Sequence, residues 1–246
     1  MIGRSGNPTL RDSTFERPEQ YSGMNQMTIG GTVNKAFITL IILLGSAFST
    51  WMLYFDGYSV GGMAVAGSII GLVLALIVSF VPKTAPYLVP LYAIAEGVFL
   101  GAVSANYEAK FGGITLQASL LTMGVFLALL IAYKTRLIRA TENFKLGVFA
   151  ATGGVLLVYL ASFILGFFGI SIPYLHSNGW VGIGISLVIV IIAALNLVLD
   201  FDFIESGAER GAPKYMEWYG AFGLMVTLVW LYLEMLRLLA KLASRD

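Results

Sequence analysis

The chain has 246 residues, of which 58% are apolar and 12% charged, with no cysteine and one histidine. A soluble domain carries about 25% charged residues, so most of this surface is expected to face lipid. The net charge of +1 excludes the strongly basic field that recruits nucleic acid. The missing thiols exclude disulfides and thiolate metal sites, and a lone His176 excludes an imidazole cluster.

In chain order, residues 1–27 are polar and lack the apolar core and small-residue cleavage site of a signal peptide. They read as a flexible cytoplasmic tail, 1–27, ahead of a transmembrane domain, 28–246, with a helix entry near Thr28. A bilayer core needs about 20 apolar residues per helix. Seven stretches qualify: Val33–Phe55, Ser59–Val81, Ala85–Tyr107, Ile114–Tyr133, Phe144–Ile170, Gly179–Ile204 and Tyr215–Leu242. Turn chemistry separates them at Asp56-Gly57, Pro82-Lys83-Thr84, Phe111-Gly112-Gly113, Ser177-Asn178-Gly179 and Gly211-Ala212-Pro213. Pro213 suits a first helical position. Strand-type alternation is absent, so the predicted fold is an all-α, polytopic seven-helix transmembrane bundle.

Eleven Lys and Arg fall on the N-terminal side of these spans, against Lys110, Arg237, Lys241 and Arg245 opposite. The N-terminus is therefore expected in the cytoplasm. An odd number of spans puts the C-terminus outside, against the pull of Arg237, Lys241 and Arg245; a re-entrant last segment would resolve that conflict. Gly67/Gly71 and Gly97/Gly101 are GxxxG pairs, read as packing contacts inside the bundle. Trp51, Tyr54, Tyr87, Tyr174, Trp180, Trp218 and Tyr219 lie near span ends, as interface belts do.

Carboxylates at membrane depth cost roughly 2.5–3.5 kcal/mol each at a helix centre on insertion scales, so they mark ion or proton sites or structural pairs. Glu96 lies inside the third span, and no Arg or Lys lies deep in another span to pair with it. Asp200 and Asp202 close the sixth span. Two residues turn a helix by about 200°, so they point to nearly opposite sides. Glu205 and Glu209, which follow, read as wet groups beyond the membrane. On the last span, Glu217 lies near the start, and Thr227, Trp230 and Glu234 share a face. A Glu234–Arg237 pair is the structural alternative to a functional Glu234. Asn196 needs a partner across the bundle. No G-x-S-x-G, H-E-x-x-H or phosphate loop appears, and no nucleophile–base pair can be assembled. The chain therefore does not read as an enzyme, and no cofactor is expected.

The seven-span order, Glu96-Gly-x-x-x-Gly101, and the hairpin from Asp200-Phe-Asp-Phe-Ile-Glu205 through Glu217-Trp-Tyr219 to Leu231-Tyr-Leu-Glu-Met-Leu-Arg-Leu-Leu239 resemble the bacterial branch of the transmembrane Bax inhibitor motif family. The resemblance covers Val33 to Leu242, and Phe201-Asp202 matches the family's aromatic-Asp pair. It implies a multi-pass protein of the bacterial inner membrane with a pH-sensitive calcium leak. In the family, aspartates on the sixth and seventh spans share a proton and latch the pore. Here Thr227 stands at the seventh-span position, and threonine does not titrate. Glu217, Glu234, Asp200 or a bond to Thr227 remain as alternatives for the partner of Asp202. The expected ion-pathway or pH-sensing residues are thus Asp202 first, with Asp200, Glu217, Glu96, Glu234 and Thr227. Ca²⁺ prefers oxygen ligands, which makes Asp202 a candidate metal ligand and calcium or protons candidate partners beside the lipid bilayer. The resemblance also implies an alternative role, regulation of a membrane-bound ATP-dependent protease through the tail, without ion conduction.

Overall fold

The computed structural model describes residues 25–169 and 177–245. Most of the expected tail, with Arg4, Arg11 and Arg17, and also Tyr174 and His176, lie outside the described residues. Seven helices follow in order: α1 (Ile29–Phe55), α2 (Gly61–Phe80), α3 (Ala85–Lys110), α4 (Ile114–Lys134), α5 (Glu142–Phe167), α6 (Trp180–Glu209) and α7 (Met216–Ala243). All seven are long and apolar enough to cross a membrane. Among the described residues the only β-type pairing is an isolated bridge between Gln26 and Pro213.

The helix ends depart from the expected ones where polar groups cap them. Thr28 caps α1 by accepting from the Gly31 N–H at 3.0 Å, so that helix starts four residues before Val33. Thr141 does the same for α5 through the Phe144 N–H at 3.3 Å. Helix α6 continues past Ile204 to Glu209, because apolar content ends before helical geometry does. Pro213 is not the first residue of α7. It lies in the preceding turn, where its carbonyl accepts from the Met216 N–H at 2.9 Å. The re-entrant alternative for the last segment also fails, since α7 is one continuous helix of 28 residues.

Burial sorts the helices into centre and periphery. In the most apolar stretch of α7, 61% of the residues are buried, against 6% in that of α5. Helices α1, α3, α4 and α6 pack around α7, α2 lies outside α3, and α5 packs chiefly against α6. One apolar cluster joins α3 to the start of α7 through Tyr92, Tyr219 and Phe222, with the Tyr92 and Phe222 rings edge-on at 5.1 Å. A second joins α4, α6 and α7 around Leu197, Leu231 and Leu236. Tyr219 is fully buried in the first cluster and so does not belong to an interface belt. Tyr87 and Trp180, at helix starts, are exposed as a belt requires.

Both GxxxG pairs work within the bundle. A side chain on Gly67 would meet the α3 backbone at Ala95 and Phe99. Side chains on Gly97 and Gly101 would meet α1 at Leu43, Ser46 and Ala47. Helix α3 thus approaches α1 through its own glycines and α2 through the glycines of α2, which lets three backbones stack closely.

Candidate functional site

Acidic side chains gather at the end of the bundle where α1, α5 and α7 begin and α4 and α6 finish. Glu217, in the first turn of α7, is fully buried. Its Oε1 accepts from the Thr28 N–H at 3.0 Å and the Thr28 hydroxyl at 2.9 Å, and pairs with Lys214 Nζ at 2.8 Å. Its Oε2 pairs with Lys35 Nζ. A side chain at Gly31 would fall on this carboxylate, so the glycine opens the space that the cluster occupies. Beside it, the Met27 N–H donates to the Ala212 carbonyl at 2.6 Å, and the Lys214 N–H to the Asn25 carbonyl at 2.8 Å. The chain entering α1 is thereby stitched to the turn between α6 and α7.

The sixth helix presents its two aspartates to different surroundings, as their spacing requires. Asp200 faces inward and is 1% exposed. Asp202 faces α5, half-buried, and pairs with Lys145 Nζ at 2.7 Å. The ion-pair partner of Asp202 is therefore a cation from the start of α5, not Glu217, Glu234 or Thr227. Glu205 is not simply wet: it accepts from the Tyr133 hydroxyl and pairs with Arg136 Nη2 at 2.8 Å. Glu209 is exposed as expected. Arg136 holds a positive φ of 60°, uncommon for a residue with a side chain, and its guanidinium lies 5.8 Å from the Tyr133 ring centre.

Helix α5 is tied to the core by polar contacts spaced seven residues apart. Lys145 pairs with Asp202. The Thr152 hydroxyl accepts from Asn196 Nδ2 at 2.8 Å. The Tyr159 hydroxyl donates to Glu234 Oε1 at 2.8 Å. Seven residues make nearly two turns, so all three rungs lie on one face of α5. Between that face and α6 runs an apolar groove of about 490 Å³, lined by Gly154, Val155, Val158, Val181, Gly184 and Ile185 among others.

Towards the opposite end, Glu234 is 2% exposed and takes both carboxylate contacts from Arg237 Nη1, at 2.8 and 2.9 Å. The Glu234–Arg237 pair is thus present, with Tyr159 as a third member. Buried Lys241 donates to the Gly182 carbonyl at 3.0 Å and to Ser186 Oγ at 2.8 Å. Arg245 stacks on Trp180 at 3.6 Å. The three cations that oppose the expected orientation are each engaged by the protein.

Asp202, Glu217 and Glu234 pair with cations of their own, Glu217 with two, rather than with one another. Thr227 is buried on α7. Glu96 lies elsewhere, in the α2–α3 seam, where its carboxyl and the Tyr92 ring border Gly71. Among the described residues, no three acidic or imidazole side chains converge as a metal cluster would require. Reading the sequence missed the partners: Lys35, Lys145, Thr152 and Tyr159. The signal available was Lys145, Thr152 and Tyr159 at seven-residue intervals in an otherwise apolar helix.

A family model described as Bax inhibitor 1 like matches residues 7–244, nearly the whole chain. Neither the curated proteins nor the solved structures gave a match.

Proposed function

The chain belongs to the Bax inhibitor 1 like family of membrane proteins, and from that premise we propose that it is a pH-sensitive cation leak, with Ca²⁺ as the ion. We place it in the bacterial inner membrane, with Asn25 and the start of α1 on the cytoplasmic side. The observation that carries this reading is the three-rung attachment of α5. The least buried helix is held to the core by polar contacts, and two of the three end on carboxylates, Asp202 and Glu234. A protonated Asp202 no longer attracts the Lys145 ammonium, so acid weakens the rung at the cytoplasmic end. Helix α5 then moves along its apolar groove, and the seam between α5 and α6 opens beside Asp202 to a cation. Asp202 is the proton-sensing group in this scheme and Glu217 the fixed anchor.

Calcium flux into proteoliposomes over a range of pH tests this. Asp202→Asn is expected to fold and to conduct without its pH dependence; an unchanged pH profile removes Asp202 from the mechanism. The protein has no cysteine of its own, so Thr152→Cys with Asn196→Cys can be joined by a short thiol-bridging reagent. Bridging is expected to abolish flux, and undiminished flux in the bridged protein rejects motion of α5.

A second reading takes support from the stitch between Asn25–Met27 and the α6–α7 turn. In it, residues 1–24 are a handle for a partner such as a membrane-bound ATP-dependent protease. Deleting residues 1–24 separates the two: flux survives under the first reading, and partner binding is lost under the second.

A further inference from the structure

Glu96 takes no part in the acidic cluster at the cytoplasmic end. It is the twelfth of the 26 residues of α3, about 16 Å along the helix at 1.5 Å per residue, and so near mid-span. It is half-buried. A side chain on Gly71, itself midway along α2, would lie 3.0 Å from Glu96 Oε2, so the glycine provides the recess into which the carboxyl fits. The Tyr92 ring borders the same recess and is locked edge-on against Phe222 of α7.

The charged groups on the helices around it are bound to other partners or lie at helix ends. Helix α2 has no ionisable residue. The lysine of α1, Lys35, lies near its start and pairs with Glu217. On α7, Glu234 and Arg237 neutralise each other, and Lys241 bonds Gly182 and Ser186. Lys134 is the last residue of α4, and Lys83 lies in the turn before α3. On α3 itself, Glu108 accepts from the Gly113 and Thr115 N–H groups at the start of α4, and Lys110 is the final residue. Among the described residues no lysine or arginine pairs with Glu96.

A carboxylate without a cation at this depth is driven to take up a proton rather than carry its charge. We propose that Glu96 is a proton-binding carboxyl, built into the α2–α3 seam by Gly71 and Tyr92 and separate from the acids of α6 and α7. This inference does not rest on ion conduction, and its test needs none.

Such a group has a chemical signature. Its oxygen adds to the central carbon of dicyclohexylcarbodiimide while its proton passes to a carbodiimide nitrogen. The resulting O-acylisourea rearranges to a stable N-acylurea, so the peptide gains the whole reagent mass and nothing leaves. The folded protein in liposomes is expected to carry that mass on the peptide containing Glu96. Glu217 and Glu234, held by cations, are expected to stay unmodified. The infrared spectrum is expected to show a protonated carboxylic-acid carbonyl band that disappears in Glu96→Gln. A carbonyl band indifferent to Glu96→Gln overturns the proposal, as does labelling confined to other carboxyls.

Discussion

At the start of α7 the Glu217 carboxylate is held from outside its own helix, by Thr28 and Lys35 and by Lys214 in the preceding turn. Near the end of the same helix Glu234 is neutralised by Arg237, three residues on. Both acids are buried, yet one fastens separate parts of the chain together and the other is mostly satisfied locally. Charges on the first kind of site set how helices sit against one another. Those on the second leave the arrangement of the bundle to apolar packing, with Tyr159 as the one link outward.

Removing these groups in turn should widen that contrast. The largest effect is expected from Glu217→Ala, which strands two ammonium groups and the Thr28 N–H; breaking a buried pair on one side costs roughly 3–5 kcal/mol, and the partial exposure of Lys35 and Lys214 places this loss at the low end. Denaturant unfolding in mild detergent measures it, and a loss below that for Tyr159→Phe contradicts the cross-chain role. Next comes Gly31→Ala, whose added methyl displaces the Glu217 carboxylate; overpacking of this kind costs about 1–3 kcal/mol. A double-mutant cycle with Glu217→Ala reads the coupling directly: if Gly31→Ala costs as much with Glu217 removed as with it present, the two positions are not coupled as the geometry requires. The smallest loss is expected from Tyr159→Phe, which deletes the hydroxyl's bonds to Glu234 and Arg237 but leaves those two paired with each other, about 1 kcal/mol.

The seven spans were legible because membrane helices declare themselves by length and composition, and twelve of the fourteen expected ends lie within three residues of the observed ones. Glycine spacing foretold the close contacts of Gly67 and Gly97, and Asn196 found the partner its amide needed. The surroundings of the acids were not legible. A helix period says which way Asp202 points relative to Asp200, and nothing about which neighbour stands there. Lys145 lies 57 positions away in sequence, on a helix whose place in the bundle follows from packing rather than from any local pattern. Lys35 and Glu217 are further apart still, so the cluster around buried Glu217 at the bundle's end was hidden from any reading of single spans.

Thr28 and Glu217 are separated by 189 positions. A membrane chain emerges from the ribosome in order, so the helix made first must wait for the one made last before its entry is secured. Until then, Lys35 has no buried acid to meet, and the opening at Gly31 stands unfilled. Closing so long a loop is entropically costly and slow. Completion of this end of the bundle is thus a signal that translation has reached α7: truncated chains can insert their early segments, but they cannot lock them.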